Sequence, residues 1–169
     1  MDLASAIQLF YIFIEFNIKV EKFFISHSVL ELIKNELFNL NDSINVESTL
    51  YTDGTAISLI QNQKDKIINS RKQLLQFERW LKDNSLVETP KEKLEFFLKL
   101  FNNSNIMHNY AFDYMILSRN HETVIVTDDF NCGFFKDHCK YTMSFLQYIS
   151  TMEIDNLNEV VSFLNGQYK

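Results

Sequence analysis

Thr123-Val124-Ile125-Val126-Thr127-Asp128-Asp129 is the stretch whose reading decides the fold of this chain. Three β-branched apolar residues followed at once by Thr-Asp-Asp have the pattern of a short buried strand, Val124 to Val126, ending in polar groups. Ligands of an open parallel sheet bind beyond the carboxyl ends of its strands, so carboxylates at that position point toward a site. Two adjacent ionised carboxylates are costly to bury unpaired and need solvent, a cap to serve or a cation. Two uses therefore stand side by side. Asp128 or Asp129 caps a short helix beginning near Asn131, or the pair belongs to a cation site.

Composition bounds the alternatives. A chain of 169 residues is read as one domain, 1–169, long enough to bury a sizeable core. With 46% hydrophobic and 22% charged residues it has the make-up of a globular protein, and only 3 Gly and 1 Pro imply long regular elements. The net charge of -6 excludes a polycation that tracks phosphates over its whole surface. Carboxylates gathered around metal ions are still compatible with a nucleic-acid substrate. Cys132, His138 and Cys139 make an incomplete zinc set with no C-x-x-C, and are read as buried or idle side chains. Met1-Asp2 lacks a basic leader, and the apolar run Ile7 to Ile18 is interrupted by polar residues and too short to span a bilayer. A cytoplasmic location, with no membrane partner, is expected.

Taken in order, Leu3 to Phe16 reads as a helix apolar nearly all round and buried against a sheet, with Asp2 at its start. Lys22 to Ile25 reads as a strand. Ser26-His27-Ser28 then leads into a helix over Val29 to Leu40, with Glu31 in capping-box spacing from Ser28. Thr52-Asp53-Gly54-Thr55, flanked by strand-like runs, predicts a β-hairpin insertion over about 45–60. Gln61 to Asn84 is a long helix whose Lys64, Arg71, Lys72, Arg79 and Lys82 fall on one stripe. These cations either contact phosphates or lay their stems over apolar surface. Leu86-Val87 is a candidate short strand, and helices are expected over Lys91 to Phe101 and Asn109 to Ser118. After Gly133 comes a helical tail, about 141–169, with helices at Thr142 to Met152 and Ile154 to Leu164. The alternation gives an α/β, three-layer domain with a small, mainly parallel central sheet.

Asp2, Glu31, Asp113 and Asp128/Asp129 occupy comparable topological places, near strand ends or on the helices beside them. Carboxylates so gathered need a metal ion, a proton or basic partners. Hard oxygen donors suit Mg²⁺, which is commonly held by a few carboxylates, waters and substrate phosphate. Each acid also has an ordinary role, as a helix-end group, a capping-box member or a partner of Arg119.

The series Asp2-Leu-Ala-Ser, Phe24-Ile25-Ser26-His27-Ser28-Val29-Leu30-Glu31-Leu32, Asp113-Tyr-Met-Ile-Leu and Val126-Thr127-Asp128-Asp129 resembles a PIN domain over nearly the whole chain. The hairpin insertion and helical tail are similar to PIN modules of bacterial TPR-containing proteins associated with defence. The resemblance implies a three-layer PIN-like fold and metal-dependent cleavage of single-stranded RNA. It implies Mg²⁺ or Mn²⁺ held by Asp2, Glu31, Asp113, Asp128 and Asp129. Thr127 would orient a carboxylate or water, and Lys64, Arg71 and Lys72 would position phosphates. Two departures stand out: the strand the family places ahead of Asp2 is absent, as in a piece of a larger protein or a reduced module, and the Asp113 to Asp128 interval is short. Tyr114, in place of a small residue, adds to the second. Both favour the alternative of a catalytically inactive PIN-like scaffolding module. A phosphoacceptor receiver is disfavoured because its Asp pair follows the first strand, and no phosphate-cradling G-x-x-x-x-G-K-[ST] loop is present.

Overall fold

Helix α1 spans Leu3 to Phe16, and its start is set by Asp2. Asp2 has extended backbone, and its Oδ1 accepts the Ser5 amide at 2.7 Å, satisfying one of the donors that a first turn leaves without a partner. The helix stops at Asn17, whose φ of 49° is in the left-handed region that Asn tolerates better than most side chains. The structure, a computed structural model, describes residues 1–44, 48–52, 57–61, 64–88, 113, 117, 124–128 and 141–167. The expected helix at Lys91 to Phe101, the Cys132/His138/Cys139 group, Asp129 and the helix start near Asn131 lie outside them. Of the expected helix Asn109 to Ser118, Asp113 and Leu117 are described, and both are helical.

Strand β1, Phe23 to Ser26, runs without a loop into α2, His27 to Ile44. β2 (Ser48–Thr52) and β3 (Ile57–Gln61) pair antiparallel, as the Asp-Gly signal implies. α3 covers Lys64 to Asn84, and β4, Ser85 to Glu88, follows directly. β4 pairs parallel with β1, from Phe23 opposite Ser85 to Ser26 opposite Glu88. Ile125–Val126 form β5, which pairs parallel with β6, Thr142–Met143. α4 (Phe145–Ser150) and α5 (Leu157–Gln167) complete the described elements.

The backbone of Met1-Asp2 joins the two parallel ladders. The Met1 amine donates to Phe24 O at 2.8 Å, and the Asp2 amide donates to Val126 O at 3.0 Å. These two residues hold a position between β1 and β5. Spatially the order is β4, β1, Met1-Asp2, β5, β6. The mixed α/β class with small parallel ladders is as expected.

The core is organised on Trp80. Its ring lies 5.4 Å from Phe10, 5.8 Å from Phe13 and from Phe23, and stacks on Phe77 at 6.2 Å. Aromatic contacts of this kind add to large buried areas, which is how a Phe-rich chain fills the space between α1, α3 and β1. Val29, Leu30 and Ile33 of α2 and Phe145, Ile149, Val160 and Leu164 of α4 and α5 belong to the same cluster.

Four expectations are corrected. α1 is not apolar-buried all round: Tyr11 is 43% and Ile14 54% exposed, on the side away from Leu9 and Ile12. The segment from Thr142 is not one helix. Thr142–Met143 extend the sheet, and the helix begins only after Ser144, whose hydroxyl and Gln147 form a reciprocal capping box. The last helix begins at Leu157 rather than Ile154. Ser28, expected to cap α2 together with Glu31, is already inside that helix, and its hydroxyl is engaged elsewhere.

α2 and α3 form an arm. The buried residues of α2 end at Ile33 and those of α3 begin at Phe77, while the remaining parts of the two helices pack mainly on one another. Because the first turns of α2 and the last turns of α3 share the core, the pair is antiparallel. Its outer part projects about 16–20 Å at 1.5 Å per residue. The β2–β3 hairpin joins the far ends. No helix among the described residues is long and apolar enough to cross a membrane.

Candidate carboxylate site

Hydrogen-bond offsets fix which residues stand side by side at the carboxyl edge of the sheet. In the β5–β6 ladder, the Ile125 amide donates to Tyr141 O and Ile125 stands opposite Thr142. The Asp2 amide makes the same one-residue offset to Val126 O, so Asp2 stands level with Thr127. Thr127 donates to Met143 O and is level with Ser144. The Met1 amine donates to Phe24 O, which sets Asp2 level with Ser26, and Ser26 is opposite Glu88. One row therefore crosses the edge: Glu88, Ser26, Asp2, Thr127, Ser144. Ser26 is 0%, Asp2 7% and Thr127 8% exposed, an unusual concentration of buried polar groups.

Two further carboxylates are tied to this edge. Asp113 Oδ2 accepts the Ser28 hydroxyl at 2.6 Å, which fixes a residue from the distant 113 region against the first turn of α2. Asp128, two residues beyond β5, accepts the Phe145 amide through Oδ1 at 2.8 Å. The first amides of α4 have no partner within that helix, so Asp128 acts on it as a side chain from outside. Capping and a strand-end carboxylate are thus the same residue. Each of Asp2, Asp113 and Asp128 has one oxygen anchored by a described donor.

Glu31 lies three residues beyond Ser28 on the same side of α2. Its side chain is 59% exposed and lies 3.4 Å from His27 Nε2. Lys64 and Lys72 are exposed on the outer part of α3, whereas Arg71 is half-buried, with Nε buried and without an acceptor among the described residues. The Ser5 and Ser26 hydroxyls are likewise buried without a hydrogen-bond partner among the described residues. Unpaired buried hydroxyls cost free energy, and their occurrence beside Asp2 marks this edge as a place where polarity is held in reserve.

Burial pushes the Met1 amine down to about 6, partly offset by the Asp2 carboxylate beside it. Burial also raises the Tyr148 phenol, with Glu21 acting in the same direction.

The donor chemistry suits a hard divalent cation, because every candidate ligand is an oxygen. Among the described residues, no three His, Cys, Asp or Glu side chains stand close enough to share one ion. Sequence reasoning missed Glu88 and Ser28. Glu88 was legible, since Ser85-Leu86-Val87-Glu88 repeats the pattern of apolar strand then acid. Ser28 was not, because its partner is remote in sequence. Comparison with protein-family models, with characterised proteins and with solved structures finds no match for this chain.

Proposed function

We propose that this chain is a metal-dependent endoribonuclease domain, PIN-like in architecture, that hydrolyses single-stranded RNA at the carboxyl edge of its sheet. The observation that carries the reading is the position of Asp2, flanked level by Ser26 and Thr127, with Asp113 and Asp128 tethered to the starts of α2 and α4 at the same edge. Asp2, Asp113, Asp128 and Glu31 would hold Mg²⁺ or Mn²⁺, with Asp129 as a further ligand. Such an ion, when bound, supplies an activated water and stabilises the leaving oxygen of a phosphodiester. Mg²⁺ is commonly bound by only one or two carboxylates plus waters and substrate phosphate, so a shared set of three protein acids is not required. The anchored oxygens hold Asp2, Asp113 and Asp128 in one orientation, and their second oxygens would meet the cation. Thr127 would orient Asp2 or a water, and Lys64, Arg71 and Lys72 would meet phosphates.

Cleavage of a labelled single-stranded RNA, titrated with Mn²⁺ and Mg²⁺, tests this. Metal-dependent cleavage that Asp128→Asn abolishes is expected; cleavage absent at every metal concentration, or indifferent to that substitution, rejects it. A second reading, an inactive PIN-like module that binds a partner, is favoured by the separation of the described acids. It expects the chain to bind no divalent ion.

A further inference from the structure

The arm carries a face that the carboxylate edge does not account for. Phe38 is 64% and Ile68 43% exposed, and Lys34, Lys64, Lys72 and Arg79 are exposed as well. At 100° per residue, Lys34 and Phe38 lie about 90° and 130° from the line of α2 that meets α3, marked by Ile33, Leu37, Leu40 and Ile44. Ile68, Arg79 and Lys72 lie about 85° to 125° from the line of α3 that meets α2, in the same rotational sense. In an antiparallel pair, equal rotational sense means the same side. Both exposed apolar side chains therefore share one face with Lys34, Lys72 and Arg79, and Lys64 stands at its inner border, about 45° from the line of α3 that meets α2. Glu31, Asp42, Asp65 and Asp83, all exposed, border it.

We infer that this face binds a single strand of RNA, with Phe38 stacking on an unstacked base and Lys34, Lys64, Lys72 and Arg79 meeting the phosphates. The inference rests on the reading of the chain as an RNA-acting domain and adds a binding surface outside the carboxylate row. Three features favour this occupant. Cations interleaved with an exposed ring match the chemistry of single-strand binding, in which rings stack bases and positive groups follow the backbone. A duplex presents no free base face to Phe38, so the surface selects unpaired strands. The surface also leads to the site: on α2, Ser28 holds Asp113, Glu31 follows, and Phe38 is about 10 Å farther along the same side.

Binding is measured by fluorescence anisotropy of a short dye-labelled single-stranded RNA with the full chain in EDTA, where no cleavage is needed. Phe38→Ala is expected to weaken binding about five- to a hundredfold. Lys64→Gln combined with Lys72→Gln is expected to lower the slope of log affinity against log salt by about 1.4. Unchanged melting of Phe38→Ala, whose ring is outside the core, shows that folding is intact, and Ile68→Ser gives a second probe of the same face. Wild-type affinity in Phe38→Ala overturns the inference. So does equal binding of duplex RNA, or of heparin, an anionic polymer without bases. Metal-dependent cleavage persisting with unchanged RNA binding in Phe38→Ala would remove this face and leave the carboxylate reading standing. Phe38-dependent binding without any cleavage would do the reverse.

Discussion

The Ser28 hydroxyl donates to Asp113 Oδ2 at 2.6 Å across 85 residues of chain. This bond orients a carboxylate from the side, as groups behind metal ligands commonly do. Ser28→Ala is expected to weaken Mn²⁺ binding about tenfold or more, within the range for loss of such supporting partners. Calorimetric titration of both proteins checks it, and equal affinity would show that Asp113 needs no such support.

Asp128 separates structure from chemistry. Asn at this position still offers an acceptor to the Phe145 amide, so Asp128→Asn should melt close to wild type while losing cleavage. Asp128→Ala removes the acceptor as well and should cost about 0.5–2 kcal/mol, the usual range for a lost helix-start acceptor. Urea unfolding distinguishes the two. Equal destabilisation by both substitutions would mean that charge, not the hydrogen bond, holds α4.

Trp80 anchors the ring cluster that unites α1, α3 and β1. Trp80→Ala should destabilise by about 3–5 kcal/mol through lost burial and the cavity left behind. Trp80→Phe should be milder, because it removes an indole N–H that is buried without an acceptor among the described residues. Denaturant midpoints followed by circular dichroism measure both.

The Met1 amine gives stability a pH dependence in a chain purified with Met1 as its first residue. Its folded value of about 6 lies below the ordinary 8.0 because burial disfavours the charged form. Between those pH values the unfolded chain binds more protons, so stability rises from pH 6 to pH 8 and is lost as pH falls. The full span is about 2–3 kcal/mol at 1.36 kcal/mol per unit. Denaturation across this range should show the rise; a stability independent of pH would mean that the amine is solvated.

Local periodicity and turn chemistry made most of the described fold legible. The limits of α1 follow from Asp2 and from the end of the apolar pattern, and Asp53-Gly54 announced the β2–β3 pairing. The misreading at Thr142 has a physical origin. Two residues are too few to show a period, and their extended state is imposed by pairing with Ile125–Val126. The strand role of Met1-Asp2 was hidden for the same reason, since it exists only through bonds to Phe24 and Val126. At the candidate site, Asp128 could be read because a strand pattern leads up to it. The Ser28 tether and the level row from Glu88 to Ser144 come from tertiary contacts that no local spacing encodes. The polarity of the arm face was half legible: the α3 stripe was visible, but the matching side of α2 required the antiparallel packing.

Counting bound Mn²⁺ on the full chain by electron paramagnetic resonance tests the central claim most directly. The account expects saturable binding of one or two ions that Asp2→Asn and Asp128→Asn each weaken while both variants stay folded. Absence of binding, or binding that neither substitution alters, would contradict it.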